Sequence, residues 1–339
     1  MLFNVRLEMK KVSICVSLLI LVSCAYEPAD ELTIYTSRQP QLIEPIIQKF
    51  TSETGIKVSF LSGNAQELME RIDVEGESSP ADIFMTVDAG VLWQAAERGI
   101  FSSTYSKTLE QNIPSYLRDP ENKWFGLSKR ARTIVYSSDQ FNDDDFSTYE
   151  NLADPKWKGK LCLRTSKKVY NRSLIASMID TYGFEKTKAV VSGWVSNLAT
   201  EVFSNDTNAL KAVSSGQCGM TVVNTYYLAR LLDDPKYDNL TLFWANQNDR
   251  GVHVNISGAG IVKTSKNKND ATLLLEYLSS EKAQDFYASA NKEYPVLEGA
   301  MVHKSIKEWG EFSEDTINVS KLGSLQKEAV FLAQEVGYK

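Results

Sequence analysis

The chain has 339 residues, with 37 Lys and Arg against 43 Asp and Glu, and its formal net charge is −6. This length suits about two domains with separate cores, and a hydrophobic share of 43% excludes a disordered or fibrous chain. The acidic balance argues against nucleic acid as a partner, because phosphate binding needs a basic surface. Only two histidines, His253 and His303, are present, so neither a histidine-rich metal site nor a histidine-based hydrolase is expected.

Residues 1–23 have the pattern of a secretory signal peptide. Arg6, Lys10 and Lys11 precede the apolar run VSICVSLLILVS, which is too short to span a bilayer as a helix. The run ends in LVSC, which resembles the lipobox of bacterial lipoproteins, where Cys24 would be acylated and become the mature N-terminus. An ordinary signal peptide with a chance cysteine is the alternative. We predict an exported protein in which residues 24–31 link the fold to a lipid anchor, without a membrane-spanning segment.

Strand and helix patterns alternate along the first part of the mature chain. The strand LTIY at 32–35 is followed by a helix after Pro40, in which apolar residues recur at i, i+3, i+4 and i+7. Two further strand–helix pairs are predicted, with strands at 57–61 and 81–87 and helices at 65–74 and 91–98. Strands at this spacing are typical of βαβ units, which form a parallel sheet that binds ligands at the carboxyl ends of its strands.

A second α/β pattern begins after the strand at 133–136. Further strands are predicted at 160–165, 219–223, 240–244 and 255–263, and helices at 173–180, 190–198, 206–213, 271–280, 281–290 and 325–336. We therefore predict two α/β lobes joined by strand-like crossovers near 130–135 and 252–260, which would form a hinge. The predicted boundaries are residues 32–130 and 256–305 for the N-terminal lobe, and residues 131–255 and 306–339 for the C-terminal lobe.

Cys162 and Cys218 remain in the fold once Cys15 leaves with the signal peptide and Cys24 serves as the anchor. An even number of cysteines in an oxidising compartment favours a disulfide, and both residues lie at predicted strand starts. Two separate buried thiols are the alternative. A metal role is not expected, because two isolated cysteines lack the CxxC spacing of a metal site.

Six short sequence motifs within residues 32–336 are informative as a set. They are IYTSRQP (34–40), SPADIFMTVDAG (79–90), LSKRARTIVYS (127–137), VYNRSLIAS (169–177), VVNTYYLARL (222–231) and HVNISGAG (253–260). This set resembles the bacterial ferric-iron-binding proteins, which are substrate-binding components of ABC importers with the type II periplasmic-binding fold. The resemblance implies a monomeric, non-enzymatic Fe³⁺ carrier in the periplasm or at the cell surface, with an ABC permease as its partner.

The resemblance also implies that Tyr170, Tyr226 and Tyr227 bind the metal. Fe³⁺ is a hard cation that prefers oxygen anions, and its field displaces the proton of a phenol whose ordinary pKa is near 10. Three phenolates would balance its charge. Tyr226 and Tyr227 follow a predicted strand, and Tyr170 precedes a predicted helix, so all three are expected at strand-to-helix junctions at the open end of the sheet.

The chain departs from many relatives at one place in the N-terminal lobe. Those relatives carry a His-Tyr or Tyr-bearing pair of ligands where this chain reads Arg38-Gln39-Pro40. In relatives with RQP, a synergistic carbonate takes the place of the missing ligands. The resemblance therefore implies carbonate or bicarbonate as a second component of the site.

Arg132 is the side chain that we expect to hold this anion, because a guanidinium matches two carbonate oxygens at once. Arg130 and Arg38 are further candidates, and Gln39 is expected to donate to the same anion near a positive helix end. Arg230 is expected to lie behind Tyr227 as a supporting group. Structural salt bridges for the arginines, and a helix cap for Gln39, are the alternatives.

Two other functions remain open from the sequence. The same fold binds solutes such as polyamines, thiamine or organophosphates, but their sites call for carboxylates or an apolar cage rather than clustered phenols. An exported enzyme is disfavoured, because the chain lacks a G-x-S-x-G motif, a P-loop and a paired acid–base signature.

Overall fold

A computed structural model describes residues 31–339 of the chain. The predicted signal peptide and the proposed anchor Cys24 lie outside these residues. The described strands are β1 (Glu31–Thr36), β2 (Lys57–Ser62), β3 (Ile83–Thr86), β4 (Phe125–Ser137), β5 (Leu161–Cys162), β6 (Met220–Asn224), β7 (Leu240–Phe243) and β8 (Val254–Ile261).

Helices pack against the sheet that these strands form. The α-helices are α1 (Glu44–Thr54), α2 (Ala65–Glu75), α3 (Ala89–Glu97), α4 (Lys107–Asn112), α5 (Val169–Tyr182), α6 (Phe184–Ser196), α7 (Asp206–Ser214), α8 (Thr225–Leu231), α9 (Lys268–Ser279), α10 (Glu281–Asn291), α11 (Lys304–Lys307), α12 (Ser320–Ser324) and α13 (Gln326–Glu335). Short 3₁₀ turns lie at Pro40–Leu42, Gly76–Ser78, Ser115–Leu117, Asp143–Asp145, Glu150–Ala153, Pro155–Trp157 and Pro235–Tyr237.

The strands pair in the order β2-β1-β3-β8-β4-β6-β5, and β7 pairs with β4. Strands β1, β2 and β3 are parallel, as the βαβ spacing predicts. Strand β8 returns antiparallel to β3. The carboxyl ends of β1 and β3 therefore lie at one edge of the first half of the sheet, beside the segments that follow them.

Strand β4 connects the two halves of the sheet. Its first part, through Ala131, pairs with β8, and its second part, from Arg132, pairs with β6 and β7. The Arg132 amide also donates to the carbonyl of His253, 2.9 Å away, where the chain returns towards β8. The predicted crossovers near 130–135 and 252–260 are thus confirmed as strands shared between two α/β lobes.

Separate apolar cores support the two lobes. One core gathers buried residues of β1, β3, α1–α3 and α9, with partly buried residues of β2 packed against it, and the other packs β4, β6, α5 and α6 together. Leu322 of α12 and Val319, which precedes that helix, belong to the first core, whereas Ala329 and Leu332 of α13 belong to the second. The lobe boundaries given above stay predictions; the packing of α12 shows that the C-terminal segment contacts both cores.

Local chemistry explains several element ends. Gly55 follows α1 with φ at +81°, a left-handed conformation that favours glycine, as expected from its position after the helical pattern. Asn64 and Asp88 cap α2 and α3 by accepting backbone hydrogen bonds from Gln66 and Val91. The segment after Pro40 differs from the prediction, because a three-residue 3₁₀ turn precedes α1 rather than one continuous helix.

The structure joins Cys162 and Cys218 in a disulfide, the first of the two alternatives that the sequence left open. Their Cα atoms lie 5.9 Å apart. Cys162 ends β5, and Cys218 lies two residues before β6, so the bridge ties together two strands that are paired in parallel. Both cysteines are buried in a small apolar core with Val135, Leu210 and Val223.

No helix within residues 31–339 has the length and apolar character that a membrane crossing requires.

Candidate metal centre

A cavity of about 170 Å³ lies where the two lobes meet, and it is called the tyrosine cavity below. It receives residues from the turn after β1, from the crossover strands, and from the first turns of α5 and α8. Its lining residues are Ser37, Arg38, Gln39, Leu42, Val87, Arg130, Tyr170, Tyr226, Tyr227, Arg230, Ser257 and Glu293.

Tyr226 and Tyr227 enter the cavity from the first turn of α8. Strand β6 ends at Asn224, whose extended backbone turns the chain directly into the helix. Adjacent residues do not share a helix face, but the two rings lie side by side with their centroids 4.3 Å apart. The side-chain amide of Asn224 donates to the Tyr226 hydroxyl at 3.3 Å and orients it.

Tyr170 reaches the same cavity from α5. Its hydroxyl accepts a hydrogen bond from the Tyr226 hydroxyl at 3.5 Å. The predicted position before a helix is corrected, since α5 begins at Val169 and Tyr170 lies within its first turn. The guanidinium groups of Arg130 and Arg164 lie 5.2 and 4.8 Å from the centroid of the Tyr170 ring, so cations flank this phenol.

These surroundings oppose ionisation of the phenols in the absence of a cation. Burial raises the pKa of Tyr226 well above its usual value, and the neighbouring Tyr170 and Tyr227 oxygens raise it further. Burial also raises the pKa of Tyr170, although the Arg130 cation opposes that shift. A multivalent cation between the hydroxyls would reverse this balance, because its charge favours the phenolate form.

Arg132 does not line the cavity. Its five N–H donors bind Asn171, both carboxylate oxygens of Asp206, the side chain of Asn224 and the Val222 carbonyl, at distances of 2.7–3.3 Å. Only 2% of Arg132 is exposed. The prediction that Arg132 holds the anion is therefore corrected: its donors are already used in a buried network, which was the alternative.

Arg38 lines the cavity but is paired with a carboxylate. Its guanidinium donates to Glu293 and to Ser257, both at 2.8 Å. Burial alone would raise the pKa of the Glu293 carboxyl, but the charge and hydrogen bond of Arg38, together with Ser128 and Arg130, hold that pKa below its usual range. Glu293 was not identified from the sequence. It lies after α10 in a segment without a motif, and only the fold brings it beside Arg38.

Arg130 and Arg230 are the lining arginines that form no ion pair among the described residues. A terminal nitrogen of Arg130 donates to the Val87 carbonyl, and one of Arg230 donates to the Asn291 carbonyl at 3.5 Å. Arg230 stacks over the Tyr226 ring, with its guanidinium carbon 5.0 Å from the ring centroid. It therefore lines the cavity beside Tyr226 rather than lying behind Tyr227, and its supporting role stays a prediction. Two predicted anion candidates, Arg38 and Arg130, thus lie on the cavity with different charge environments.

Gln39 also lines the cavity, but its surroundings differ from the prediction. It precedes a three-residue 3₁₀ turn rather than a regular α-helix, so it lacks the positive end of a long helix. Its side chain makes no helix cap, which excludes the alternative given above, and its oxygen accepts from Gln41 at 3.0 Å. Its amide nitrogen can still donate into the cavity.

The donor set distinguishes this cavity from common metal sites. No group of three His, Cys, Asp or Glu side chains suited to a metal ion occurs within residues 31–339. His253 is buried and neither of its ring nitrogens has a hydrogen-bond partner there, whereas His303 caps α11. The tyrosine cavity offers three phenol oxygens, one carboxylate and three arginines, a combination suited to a hard cation together with an anion.

Comparison with known proteins agrees with the family and the fold that the sequence predicts. The family profile described as "Bacterial extracellular solute-binding protein" matches residues 35–285. Iron uptake protein A1 of Synechocystis sp. is 47% identical over 315 residues, which cover 91% of this chain and 88% of that protein.

Solved structures extend the likeness to the whole fold. A Trichodesmium FutA structure in complex with iron and citrate ligands matches with a TM-score of 0.88 and 44% identity, over 91% of this chain and 100% of that one. Apo FutA2 from Synechocystis matches with a TM-score of 0.87 and 38% identity, over 92% and 100% of the two chains. The fold is that of the type II periplasmic-binding proteins, as predicted, and the chain belongs to the family of bacterial extracellular solute-binding proteins.

Proposed function

We propose that this protein captures Fe³⁺ outside the inner membrane and delivers it to an ABC permease. The observation that supports this most directly is the convergence of three phenols: Tyr226 donates to Tyr170 at 3.5 Å, and the Tyr227 ring lies 4.3 Å from that of Tyr226. The relatives named above for iron uptake, and for a complex with iron, support the same cargo.

Tyr170, Tyr226 and Tyr227 are the proposed ligands. Three phenolates cancel the charge of Fe³⁺, so the ion can leave water and enter a half-buried cavity at low electrostatic cost. A divalent cation would leave one negative charge uncompensated by the ion, which favours the ferric form. The flanking arginines attract the phenolates and reduce their mutual repulsion.

A synergistic anion completes the coordination, and it is proposed to be carbonate, supplied as such or as bicarbonate that loses its proton on binding. The three lining arginines and the single lining carboxylate give the cavity a formal charge of +2. Because Fe³⁺ and three phenolates are neutral together, a dianion leaves the filled cavity neutral. Arg130 is the proposed anion holder, with Arg230 as the second unpaired lining cation, since Arg132 is committed to Asp206 and Arg38 is paired with Glu293. Arg130 is preferred because it lies on the crossover strand β4 and beside Tyr170.

Closure of the lobes is the proposed mechanism of capture. The C-terminal lobe supplies all three tyrosines, so iron would bind there first, and the N-terminal side with Ser37 and Arg38 would close over it. Strand β4 and the segment leading into β8 are the proposed hinge, because they are the crossovers shared by the two parts of the sheet. The protein is proposed to act as a monomer.

The proposed location is the periplasm or the cell surface, with Cys24 as a lipid anchor. The family is extracellular by description, and the disulfide between Cys162 and Cys218 suits an oxidising compartment. Mass spectrometry of the N-terminal peptide from membrane-associated protein tests the anchor. An acylated Cys24 is expected, and a soluble product cleaved elsewhere would contradict it.

Titration of the purified apo-protein with Fe³⁺, with and without bicarbonate, tests the proposed cargo. We expect one equivalent of iron to produce a visible phenolate-to-iron charge-transfer band. The Tyr170→Phe, Tyr226→Phe, Tyr227→Phe triple variant keeps the three rings and loses only the hydroxyls, so it should fold and lack the band.

Tyr105→Phe provides the matched control, because Tyr105 is 80% exposed and does not line the cavity. This variant is expected to keep the band. Retention of the same colour and iron stoichiometry by the triple variant would show that the tyrosines are not the ligands.

A further inference from the structure

The only carboxylate among the residues that line the tyrosine cavity belongs to Glu293. It is 6% exposed and forms an ion pair with Arg38, which is 3% exposed, at 2.8 Å. Both members of the pair face the cavity, so their charges act on whatever occupies it. Neither charge is strongly screened by water at this depth.

The pair is fixed by neutral neighbours. Arg38 donates to the Ser257 hydroxyl at 2.8 Å and to the Ser128 hydroxyl at 3.5 Å. Its remaining Nε is buried without a hydrogen-bond partner among the described residues. The guanidinium is therefore held in one position by groups that add no charge, and Glu293 alone compensates it.

This arrangement decides which charge the cavity offers to an anion. An ionised Glu293 balances the charge of Arg38. Arg130 and Arg230 are then the lining cations that have no ion-paired carboxylate among the described residues. Without the Glu293 charge, three cations would face the same space. Behind the wall, Asp206 faces Arg132 and Arg164, and the buried Asp88 interacts with Arg130 and Arg172. These groups are the same in every variant compared below, so their charges do not affect the comparison.

We propose that Glu293 determines the specificity of the anion site, by masking Arg38 and so setting the cavity to accept a dianion of the carbonate type. This inference rests on the proposed function, since it concerns the anion that accompanies Fe³⁺. Glu293 contacts Arg38 rather than the anion. It acts through the net charge of the wall, which favours an anion whose charge completes neutrality.

The test compares acetate, carbonate and citrate as partners of Fe³⁺, three oxygen-donor anions whose fully deprotonated forms rank in this order of increasing charge. Apparent iron affinity is measured with each anion for the full mature chain, and each variant is expressed relative to the wild type. Differences in anion size then cancel. The charge-transfer band reports iron binding in every case.

Glu293→Gln keeps the shape of the side chain and unmasks Arg38. We expect the affinity ratio of citrate over carbonate to rise by roughly tenfold, the scale of one charge-assisted hydrogen bond. Arg38→Gln removes a cation and should shift preference the other way, towards acetate. The double variant Arg38→Gln, Glu293→Gln restores the formal charge of the wall and should restore the order found in the wild type.

Ser128→Ala is the matched control. Ser128 is buried, contacts both Arg38 and Glu293 and does not line the cavity, so its removal disturbs the hydrogen bonds of the pair without a change of charge. We expect it to keep the order of the three anions. An equal shift in Ser128→Ala and Glu293→Gln would show that geometry rather than charge sets the preference, and would overturn the inference.

Failure of the iron site and failure of the role of Glu293 give different results. If the wild type gives no charge-transfer band with any anion, the proposed iron site is wrong. If the band forms and the order of anions is the same in the wild type, Glu293→Gln and Arg38→Gln, the iron site stands and the role of Glu293 is wrong. Opposite shifts in the two single variants cannot arise from a general loss of folding.

Discussion

Arg132 donates hydrogen bonds to both carboxylate oxygens of Asp206, at 3.0 and 3.3 Å, beneath the floor of the tyrosine cavity. Arg164 lies 3.6 Å from the same carboxylate and also flanks the Tyr170 ring. The backbone amide of Asn224, two residues before Tyr226, also donates a hydrogen bond to the Asp206 carboxylate, at 3.4 Å. One buried carboxylate thus connects the segments that carry the proposed ligands.

Arg132→Gln is expected to lower the free energy of unfolding by about 3 kcal/mol, because it removes the closer of two cations that compensate the buried charge of Asp206. Arg164 still faces the carboxylate, which keeps the loss near the lower end of the range for such pairs. Urea unfolding followed by tryptophan fluorescence measures it. If the Arg132→Gln variant is as stable as the wild type and has lost only its response to bicarbonate, Arg132 is the residue that binds the anion.

Arg130→Gln is expected to show the reverse pattern. Arg130 forms no ion pair at hydrogen-bond distance among the described residues, so its loss should lower the free energy of unfolding less than the loss of Arg132 does, although the buried Asp88 loses a neighbouring cation. Iron binding in bicarbonate buffer should weaken by about 1.5–3 kcal/mol, the value of a hydrogen bond to a charged group. In carbonate-free buffer the variant and the wild type should differ less. Equal affinity of the two proteins in bicarbonate would exclude Arg130 as the anion holder.

Reduction of the disulfide should destabilise the protein by about 4 kcal/mol in the chain-entropy model, because Cys162 and Cys218 are 56 residues apart in sequence. Urea unfolding with and without a reductant measures the loss. The Cys162→Ala, Cys218→Ala variant is the control and should not respond to the reductant. Rapid labelling of both thiols in unreduced native protein would contradict the bridge.

The fold and the position of the tyrosines could be predicted from local signals. Alternating strand and helix patterns gave the lobes and the crossovers, and the Tyr226-Tyr227 pair lies where a strand turns into a helix, as its position after MTVV indicates. The start of α5 was predicted one turn too late, so Tyr170 was expected before the helix rather than within it. The reason is that the apolar pattern of α5 begins only after its first turn.

The choice among arginines could not be made from the sequence. Arg130 and Arg132 are two residues apart on β4, so their side chains leave the strand on the same face, and alternation does not separate them. Only the tertiary structure shows that Asp206 binds Arg132, while Arg130 reaches the cavity. Glu293 was missed for a similar reason, since no spacing relates it to Arg38, 255 residues earlier.

Iron loading should release protons from the phenols. Burial raises the pKa of Tyr170 and Tyr226 above 10, so both hydroxyls are protonated at neutral pH and must lose a proton to bind Fe³⁺. Apparent affinity should therefore fall as pH falls. Proton release on addition of ferric nitrilotriacetate in weakly buffered solution measures this, and Tyr226→Phe should release one proton fewer per iron bound. Equal release by both proteins would exclude Tyr226 as a phenolate ligand.

His253 should contribute to the acid sensitivity of the fold. Its imidazole is 1% exposed, and burial, together with the Arg250 and Arg132 cations, holds its pKa well below 6.5. Below pH 6.5 the unfolded chain binds a proton that the folded chain does not, so the free energy of unfolding should fall by about 1.4 kcal/mol per pH unit from this group. The loss begins as pH drops through 6.5 and ends at the folded pKa.

Substitution of His253 by Leu separates this contribution from those of the carboxyl groups. Neither ring nitrogen has a hydrogen-bond partner among the described residues, so Leu removes the titrating group without breaking a hydrogen bond. Urea unfolding of the apo-protein at pH 7.5, 6.5 and 5.5 should show a shallower decline in His253→Leu than in the wild type. His303→Gln controls for the removal of an imidazole elsewhere. Parallel declines in His253→Leu and the wild type would show that burial of His253 does not set the acid response.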